Sequence, residues 1–367
     1  MKTMMACAVL CLAALPLRAD EPERGVVDVV FCIDRSGSMS EVIQTAKEKV
    51  WAIVSDVAKA KPIPVLRIGL IGYGSADTEY RFFPLTDDLD AVYRDLMTFQ
   101  TDMGGDEWVG AAVKKATIDM KWSADKNALR VIFMVGNETA RQGDEELLYT
   151  RTVPEAIRRD IVVNAIYCGK PSQEEEMTWR EVAKLADGAY TVIDLSGGAV
   201  TIATPMDDKL VELNKRLNST YIPFGKHGKE GAANQVAQDE NSEANGGSSN
   251  MAQRAAAKSW DGYNCARWDL VDAAKDKEFK LEEVKDEDLP EDMRKLSLEE
   301  RKARIEKMRT EREAVQKDVV AVNTEREAFI AAEMKKKNLT QDQAFDEAVR
   351  RAVREQAGRK GFAFEGK

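Results

Sequence analysis

The sequence predicts an α/β fold with a doubly wound, mostly parallel six-stranded sheet, followed by a C-terminal α-helical hairpin. Between residues 26 and 194, apolar runs rich in Val and Ile alternate with amphipathic helical patterns. Such runs, bounded by Gly, Asp or Asn, are typical of strands buried on both faces of a parallel sheet. Beyond residue 297 the chain is charge-rich, with no Pro or Gly as far as residue 337. In a doubly wound sheet, ligands are expected at the carboxyl ends of the strands.

The elements follow one another in a regular order along this part of the chain. Parallel strands are predicted at 26–33, 66–73, 129–135, 161–167 and 190–193, and a shorter antiparallel edge strand at 81–85. The first helix is predicted from the apolar spacing of Val42, Ala46, Ile53 and Val57. Similar stripes predict the helices between later strands, and one more helix runs from Pro205 to Leu217.

Residues 1–19 have the pattern of a signal peptide. Lys2 gives the positive start, residues 4–15 the apolar core, and Ala19 a small-residue exit. The apolar run is too short to span a bilayer, and no later stretch approaches that length. We therefore expect cleavage after about Ala19, no transmembrane segment, and a periplasmic or secreted mature protein.

Charge and cysteine content limit the possible partners. Losing Lys2 and Arg18 changes the formal net charge from −10 to −12 (−10 − 2), so nucleic acid is not expected as a ligand. Cys32, Cys168 and Cys265 remain, an odd count that allows at most one disulfide within a monomer. Cys32 and Cys168 lie in apolar strand patterns and are expected to be buried thiols.

Composition divides the chain into five segments. After the signal peptide, residues 24–220 form the α/β domain, and residues 221–264 are a Gly-, Asn- and Ser-rich stretch predicted to be a long polar loop. Residues 265–296 are expected to dock on the main domain, helped by the aromatic residues Trp260, Tyr263 and Trp268. Residues 297–367 form the predicted helical hairpin, which begins with a capping box at Ser297.

The first helix of this hairpin has an apolar residue at every seventh position. Its members are Met308, Val315, Val322 and Phe329. The companion seam contains Arg312 and Arg326, which do not suit a coiled coil, so packing on a neighbouring helix is the simpler prediction. Self-association through 297–337 stays open as an alternative.

The residues best suited to bind a metal ion lie in the segment Asp34-Arg35-Ser36-Gly37-Ser38, directly after the first predicted strand. One carboxylate and two hydroxyls at a spacing of two can converge on one point. Hard oxygen ligands of this kind suit Mg²⁺, with Mn²⁺ or Ca²⁺ also possible. Alternatively, Ser36 or Ser38 simply caps the following helix.

This loop and its position resemble the metal-ion-dependent adhesion site of the von Willebrand factor A family. That family completes its site with a Thr from a second loop and an Asp from a third. Here Asp106 stands at the Thr position and Asn137 at the Asp position, which leaves the number of carboxylates unchanged. We expect Asp106 to coordinate directly or through a water and Asn137 to hold a water. Alternatively, Asp106 caps its helix, or Glu138 is the third-loop ligand.

The resemblance implies a Mg²⁺-dependent protein-binding module that engages an Asp or Glu of a partner, with no enzymatic activity, and the predicted signal peptide makes it extracytoplasmic. Rim positions expected to shape partner choice are Met103, Tyr73, Arg141 and Gln142. One alternative is a structural or oligomerisation protein that uses the helical hairpin. The other is a metal-assisted hydrolase, which is disfavoured because His227 is the single histidine and no Gly-x-Ser-x-Gly motif is present.

Overall fold

The computed structural model describes residues 24–74, 80–101, 104–193, 201–337 and 345–364. The predicted signal peptide and Met103 lie outside these residues. The strands are β1 (Val26–Asp34), β2 (Ala60–Lys61), β3 (Val65–Tyr73), β4 (Arg81–Thr86), β5 (Leu129–Gly136), β6 (Val162–Cys168), β7 (Tyr190–Ile193) and β8 (Ala363–Phe364). The helices are α1 (Ser40–Val57), α2 (Leu89–Met97), α3 (Val109–Asp119), α4 (Tyr149–Arg158), α5 (Gln173–Leu185), α6 (Asp207–Asn218), α7 (Gly228–Lys258), α8 (Leu270–Ala273), α9 (Leu298–Lys336) and α10 (Phe345–Arg359).

The main sheet has six strands in the order β4-β3-β1-β5-β6-β7. Five strands are parallel, and β4 pairs with β3 in the antiparallel direction at the edge. The predicted α/β sheet is confirmed, all six predicted strands are present, and the C-terminal part is helical. The described residues of α9 and α10 do not form the predicted hairpin, because α9 packs mainly on α6, α7 and α8, and α10 on α1 and the sheet. The central strands are continuous apolar runs because helices cover both faces of the sheet.

The two faces of the sheet are covered by different parts of the chain. Helices α3, α4 and α5 cover one face, and α1, α2 and the C-terminal α10 cover the other. Phe31 on β1 stacks on Phe133 of β5, with ring centroids 5.4 Å apart, and Phe345 of α10 lies 6.2 Å from Phe31. The last helix therefore belongs to the core of the sheet domain.

The predicted polar loop at 221–264 is wrong, because most of it is helix α7. This helix packs against α1, α2 and α6, and it is broken only at Gly246 and Gly247. Gly247 has a positive φ of 57°, which glycine adopts without steric cost. The polar composition is misleading because the buried face of α7 carries small residues and polar groups that hydrogen-bond to one another.

A buried ionic network replaces the missing apolar contacts of α7. Arg254 is fully buried, donates to Asp90 of α2 at 2.8 Å and also pairs with Asp239. The buried ammonium of Lys258 lies 3.4 Å from Asp239, and the hydroxyl of Tyr263 donates to Asp90 at 2.6 Å. A charged group is stable in a core only when it is paired in this way. The network ties α7 to the sheet domain.

Helix α9 packs on α6, α7 and α8, and both of its heptad seams face inward. Val315 and Val322 of the first seam are buried against α6 and α7. Arg312 of the second seam donates to Asp269 at 2.8 Å, and Arg326 donates to Asp207 at 2.7 Å. Packing on neighbouring helices is confirmed. The seam that would serve self-association through 297–337 is largely covered by the chain itself.

The remaining core predictions agree with the structure. Trp260, Tyr263 and Trp268 lie in the core beneath α1 and α2, as expected of a docking segment. Cys32 and Cys168 are buried thiols, and Cys265 is also buried and free. Within the described part of the chain, no helix combines the length and the apolar character needed to cross a membrane.

Candidate metal centre

The candidate site lies at the carboxyl ends of β1, β3 and β5. Asp34 is the last residue of β1 and is fully buried, opposite Tyr73 in the register with β3. The backbone N–H of Arg35 donates to the carbonyl of Tyr73 at 3.0 Å, which fixes the start of the loop. The sheet therefore delivers the Asp34 carboxylate to the edge where a ligand of this fold is expected.

The first loop forms a compact set of oxygen atoms. The backbone N–H of Ser36 donates to Asp34 Oδ1 at 2.7 Å, and Ser36 Oγ donates to Asp34 Oδ2 at 2.9 Å. The hydroxyls of Ser36 and Ser38 are 2.9 Å apart. Ser36 precedes a short helical turn at Gly37–Met39, and Met39 precedes α1. Neither residue caps the following segment with its side chain. The structure thus brings the Asp34, Ser36 and Ser38 side chains together.

The third loop places Asn137 beside these serines. Ser38 Oγ donates to Asn137 Oδ1 at 3.3 Å. Two aromatic side chains hold the loop backbone, because Tyr167 OH donates to the Asn137 carbonyl at 2.7 Å and Trp179 Nε1 donates to the Glu138 carbonyl at 2.6 Å. The side chain of Glu138 is exposed and accepts a hydrogen bond from Gln142 Nε2 at 2.8 Å. Among third-loop side chains, Asn137 is the one in contact with the serines.

The second loop brings a different acid to the site from the one that the sequence pattern selects. Asp106 is exposed, whereas Glu107 is only 3% exposed, and its carboxyl group lies close enough to Asp34 for each group to perturb the pKa of the other. Gly105 turns the chain with a φ of +91°, and the N–H of Trp108 then donates to the Gly74 carbonyl at 3.1 Å. This bond fixes the loop against the end of β3 and leaves Glu107 facing inward.

Burial and mutual proximity perturb both carboxyl groups. Burial, followed by the hydrogen bond with Asp34 and repulsion from it, raises the pKa of Glu107 to about 9. Burial also raises the pKa of Asp34, although hydrogen bonds from Glu107 and Ser36 oppose the change. Two buried carboxyl groups that share hydrogen-bond partners favour either a shared proton or a bound cation.

The donor set fits a hard cation. It consists of two carboxylates, two hydroxyls and one amide oxygen, the ligand types that Mg²⁺ and Ca²⁺ prefer. Across the described ranges, no three His, Cys, Asp or Glu side chains are grouped in a metal-holding arrangement. The fit therefore depends on the hydroxyl and amide oxygens as much as on the acids.

Sequence reasoning missed the position of Glu107 and misplaced Tyr73. The sequence does contain Glu107 beside Asp106, but the choice between neighbouring acids depends on the turn of the loop. Tyr73, expected on the rim, is 1% exposed, and its hydroxyl donates to the Val135 carbonyl at 3.2 Å, because β3 continues to this residue. Arg141 is exposed and Gln142 half-buried, in keeping with rim positions.

Residues 29–139 match the family model described as von Willebrand factor type A domain. The matched range begins in β1 and ends just after Asn137, so it contains all three loops. No curated protein sequence matches this chain.

Several solved structures are similar to about half of the chain. One is the conserved hypothetical protein BatB from Bacteroides thetaiotaomicron, which is 18% identical, covers 46% of this chain and 90% of its own, and has a TM-score of 0.38. An aerotolerance-related membrane protein from Bacteroides fragilis is 18% identical, with coverages of 46% and 92% and a TM-score of 0.35. Proximal thread matrix protein 1 from the mussel byssus, with a zinc-occupied MIDAS motif, is 14% identical, with coverages of 47% and 43% and a TM-score of 0.38.

Proposed function

From the von Willebrand factor type A domain at residues 29–139, we propose that this chain is an extracytoplasmic, Mg²⁺-dependent protein-binding module. A cation held at the ends of β1, β3 and β5 would engage an Asp or Glu side chain of a partner protein. The observation that carries the proposal is the convergence of the buried Asp34 carboxylate with the Ser36 and Ser38 hydroxyls and the Asn137 amide oxygen.

Each residue of the site has a defined part in this proposal. Asp34 supplies the buried negative charge, and Ser36 and Ser38 present hydroxyl oxygens from the same loop. Asn137 accepts a hydrogen bond and holds the third loop beside them. The second carboxylate comes from Glu107 or Asp106. When bound, the cation supplies a positive charge to which a partner's carboxylate can bind.

The proposal is tested by recovery of partner proteins from an envelope extract with and without EDTA. Wild type should recover partners only in the presence of Mg²⁺, and Asp34→Ala should recover none in either condition. Calorimetry with Mg²⁺ alone tests the cation site independently of the partner. Recovery of the same partners by both proteins in EDTA would remove the proposed function.

We also propose that the site binds a partner without catalysing a reaction. The single histidine, His227, is exposed at the beginning of α7. Changing His227 and Glu138 to Ala should leave Mg²⁺-dependent partner recovery intact. If these two changes abolish Mg²⁺-dependent recovery, the proposal of a non-catalytic site is wrong.

The extracytoplasmic location rests on the signal peptide predicted at residues 1–19. Amino-terminal sequencing of protein recovered from the periplasm or the medium should begin close to Asp20. Recovery of the protein only from the cytoplasm, with Met1 retained, would contradict the predicted location.

A further inference from the structure

A polar cavity of about 300 Å³ lies between α1, α7, α9 and α10, away from the candidate metal centre. Helix α1 begins beside the metal centre, and the cavity lies along its C-terminal half, from Lys49 to Asp56 and beyond. The volume corresponds to about ten water molecules at ~30 Å³ each, so it can hold a small organic molecule. The cavity is thus a separate candidate site.

Lys49 is the unusual residue of this cavity. It lines the cavity and is only 7% exposed. Within the described part of the chain, no group hydrogen-bonds or ion-pairs with its ammonium. The ammonium keeps contact with solvent through the cavity, so it presents a positive charge with which an entering anion can pair.

None of the carboxylates that line the cavity pairs with Lys49, because each is already bound by another cation. The pairs are Asp56 with Arg354, Asp346 with Arg350, and Glu327 with Lys59. Arg326, which also lines the cavity, is paired with Asp207. Lys49 is therefore the lining cation that lacks a counter-ion among the described residues.

Two further polar groups of the lining are buried and unsatisfied. Among the residues that the structure describes, Arg350 Nε, an N–H donor, has no hydrogen-bond partner, and the same is true of the Gln253 side-chain oxygen. Native proteins leave few buried polar atoms without a partner, and a cluster of them in one cavity points to a ligand. Arg350 comes from α10, Gln253 from α7 and Lys49 from α1, so three helices contribute to one site.

We propose that this cavity binds a small molecule carrying a carboxylate or phosphate group. Its oxyanion pairs with Lys49 and accepts a hydrogen bond from Arg350 Nε–H, and the Gln253 side-chain oxygen accepts a hydrogen bond from a donor group of the ligand. Arg350 offers its Nε–H because one of its two terminal nitrogens, Nη2, already binds Asp346 and Glu347. One point charge and one donor suit a single oxyanion better than an extended polyanion.

The test is calorimetric titration of the full chain with inorganic phosphate and, separately, with succinate at matched ionic strength. Wild type should bind at least one of them saturably, and the arm that binds identifies the oxyanion class. Lys49→Met should weaken that binding by about tenfold or more, as expected for loss of a charged hydrogen-bond partner. Lys114→Met, on exposed α3 surface across the sheet, is the matched control and should bind like wild type.

Gln253→Glu provides a second variant that does not remove a cavity charge. It places a carboxylate in the same cavity as Lys49, so it should abolish anion binding and raise the melting temperature. Phosphate stabilises many proteins non-specifically, but that effect is not saturable and would be equal in all variants. The proposal is overturned if neither anion binds wild type saturably, or if Gln253→Glu and any folded Lys49→Met bind as tightly as wild type.

Discussion

At the scale of single residues, the candidate metal centre shows which ligands a sequence can specify. Asp34, Ser36 and Ser38 lie in one loop after a buried strand, so their spacing alone predicted their convergence. The choice between Asp106 and Glu107 depends on the hydrogen bond from the Trp108 N–H to the Gly74 carbonyl. That bond joins two loops that are distant in sequence, and no local pattern encodes it.

The two neighbouring acids provide a matched pair of variants. Glu107→Gln should lower Mg²⁺ affinity by about tenfold or more, because Gln, unlike Glu, cannot release a proton to supply a second carboxylate beside Asp34 when the cation binds. Asp106→Asn should change the affinity little, since Asp106 is exposed. Both substitutions preserve side-chain size, and calorimetry at one fixed pH measures the two affinities. The reverse order of effects would show that Asp106 is the ligand, as the family pattern predicts.

At the scale of elements, α7 and α9 show how polar sequences form buried helices. A composition with few large apolar residues predicted a loop for 221–264, yet Arg254, Lys258 and Asp239 are buried there as a paired network. In α9, Arg312 and Arg326 break the heptad pattern because they bind buried acids of other helices. A sequence pattern treats charged residues as exposed. The acids that Arg312 and Arg326 bind lie 40 to 119 residues away along the chain, so no local pattern shows them.

Removing Arg254 should be strongly destabilising. Arg254→Met leaves Asp90 and Asp239 without their main cation, which should cost about 3–5 kcal/mol of the free energy of unfolding. Arg267→Met is the control, because Arg267 pairs with Asp87 at the surface and should contribute less than about 1 kcal/mol. Urea denaturation measures both changes. Equal effects of the two substitutions would contradict a structural role for the network.

The same network should make stability depend on pH. Burial alone would raise the pKa of Asp239, but the charges of Arg254 and Lys258 outweigh it and hold the pKa below its ordinary value of 3.8. A lowered pKa in the folded state means that this stabilisation is complete above the unfolded pKa and is lost as pH falls below it. Urea denaturation between pH 6 and pH 3 should therefore show a steeper loss of stability for wild type than for Asp239→Asn. Parallel curves for the two proteins would contradict this assignment.

At the scale of the whole molecule, the C-terminal segment completes the sheet domain. In the sequence, Phe345, Val349, Ala352 and Val353 have the spacing of an apolar helix face, but spacing shows only that a face is buried. Its location, against α1 and the sheet, depends on contacts such as Phe31 with Phe345 that join opposite ends of the chain. The buried hydrogen bonds between Asn164 of β6 and Gln356 of α10, at 3.2 and 2.7 Å, fix the helix at this place.

A chain that ends at residue 344 should therefore fail to form a stable sheet domain, although it retains the whole range matched by the family model. Loss of α10 exposes the apolar face of β1 and α1 to water, including Phe31 and Val50.

Phe345→Ala is the milder test and should lower the free energy of unfolding by about 3–5 kcal/mol, the usual range for a buried Phe replaced by Ala. Circular dichroism and size-exclusion chromatography of the truncated chain, with urea denaturation of Phe345→Ala, measure these effects. A truncated chain that stays monomeric and unfolds at the wild-type temperature would show that α10 is an appendage. In that case, the sheet domain would be independent of the segment that follows it.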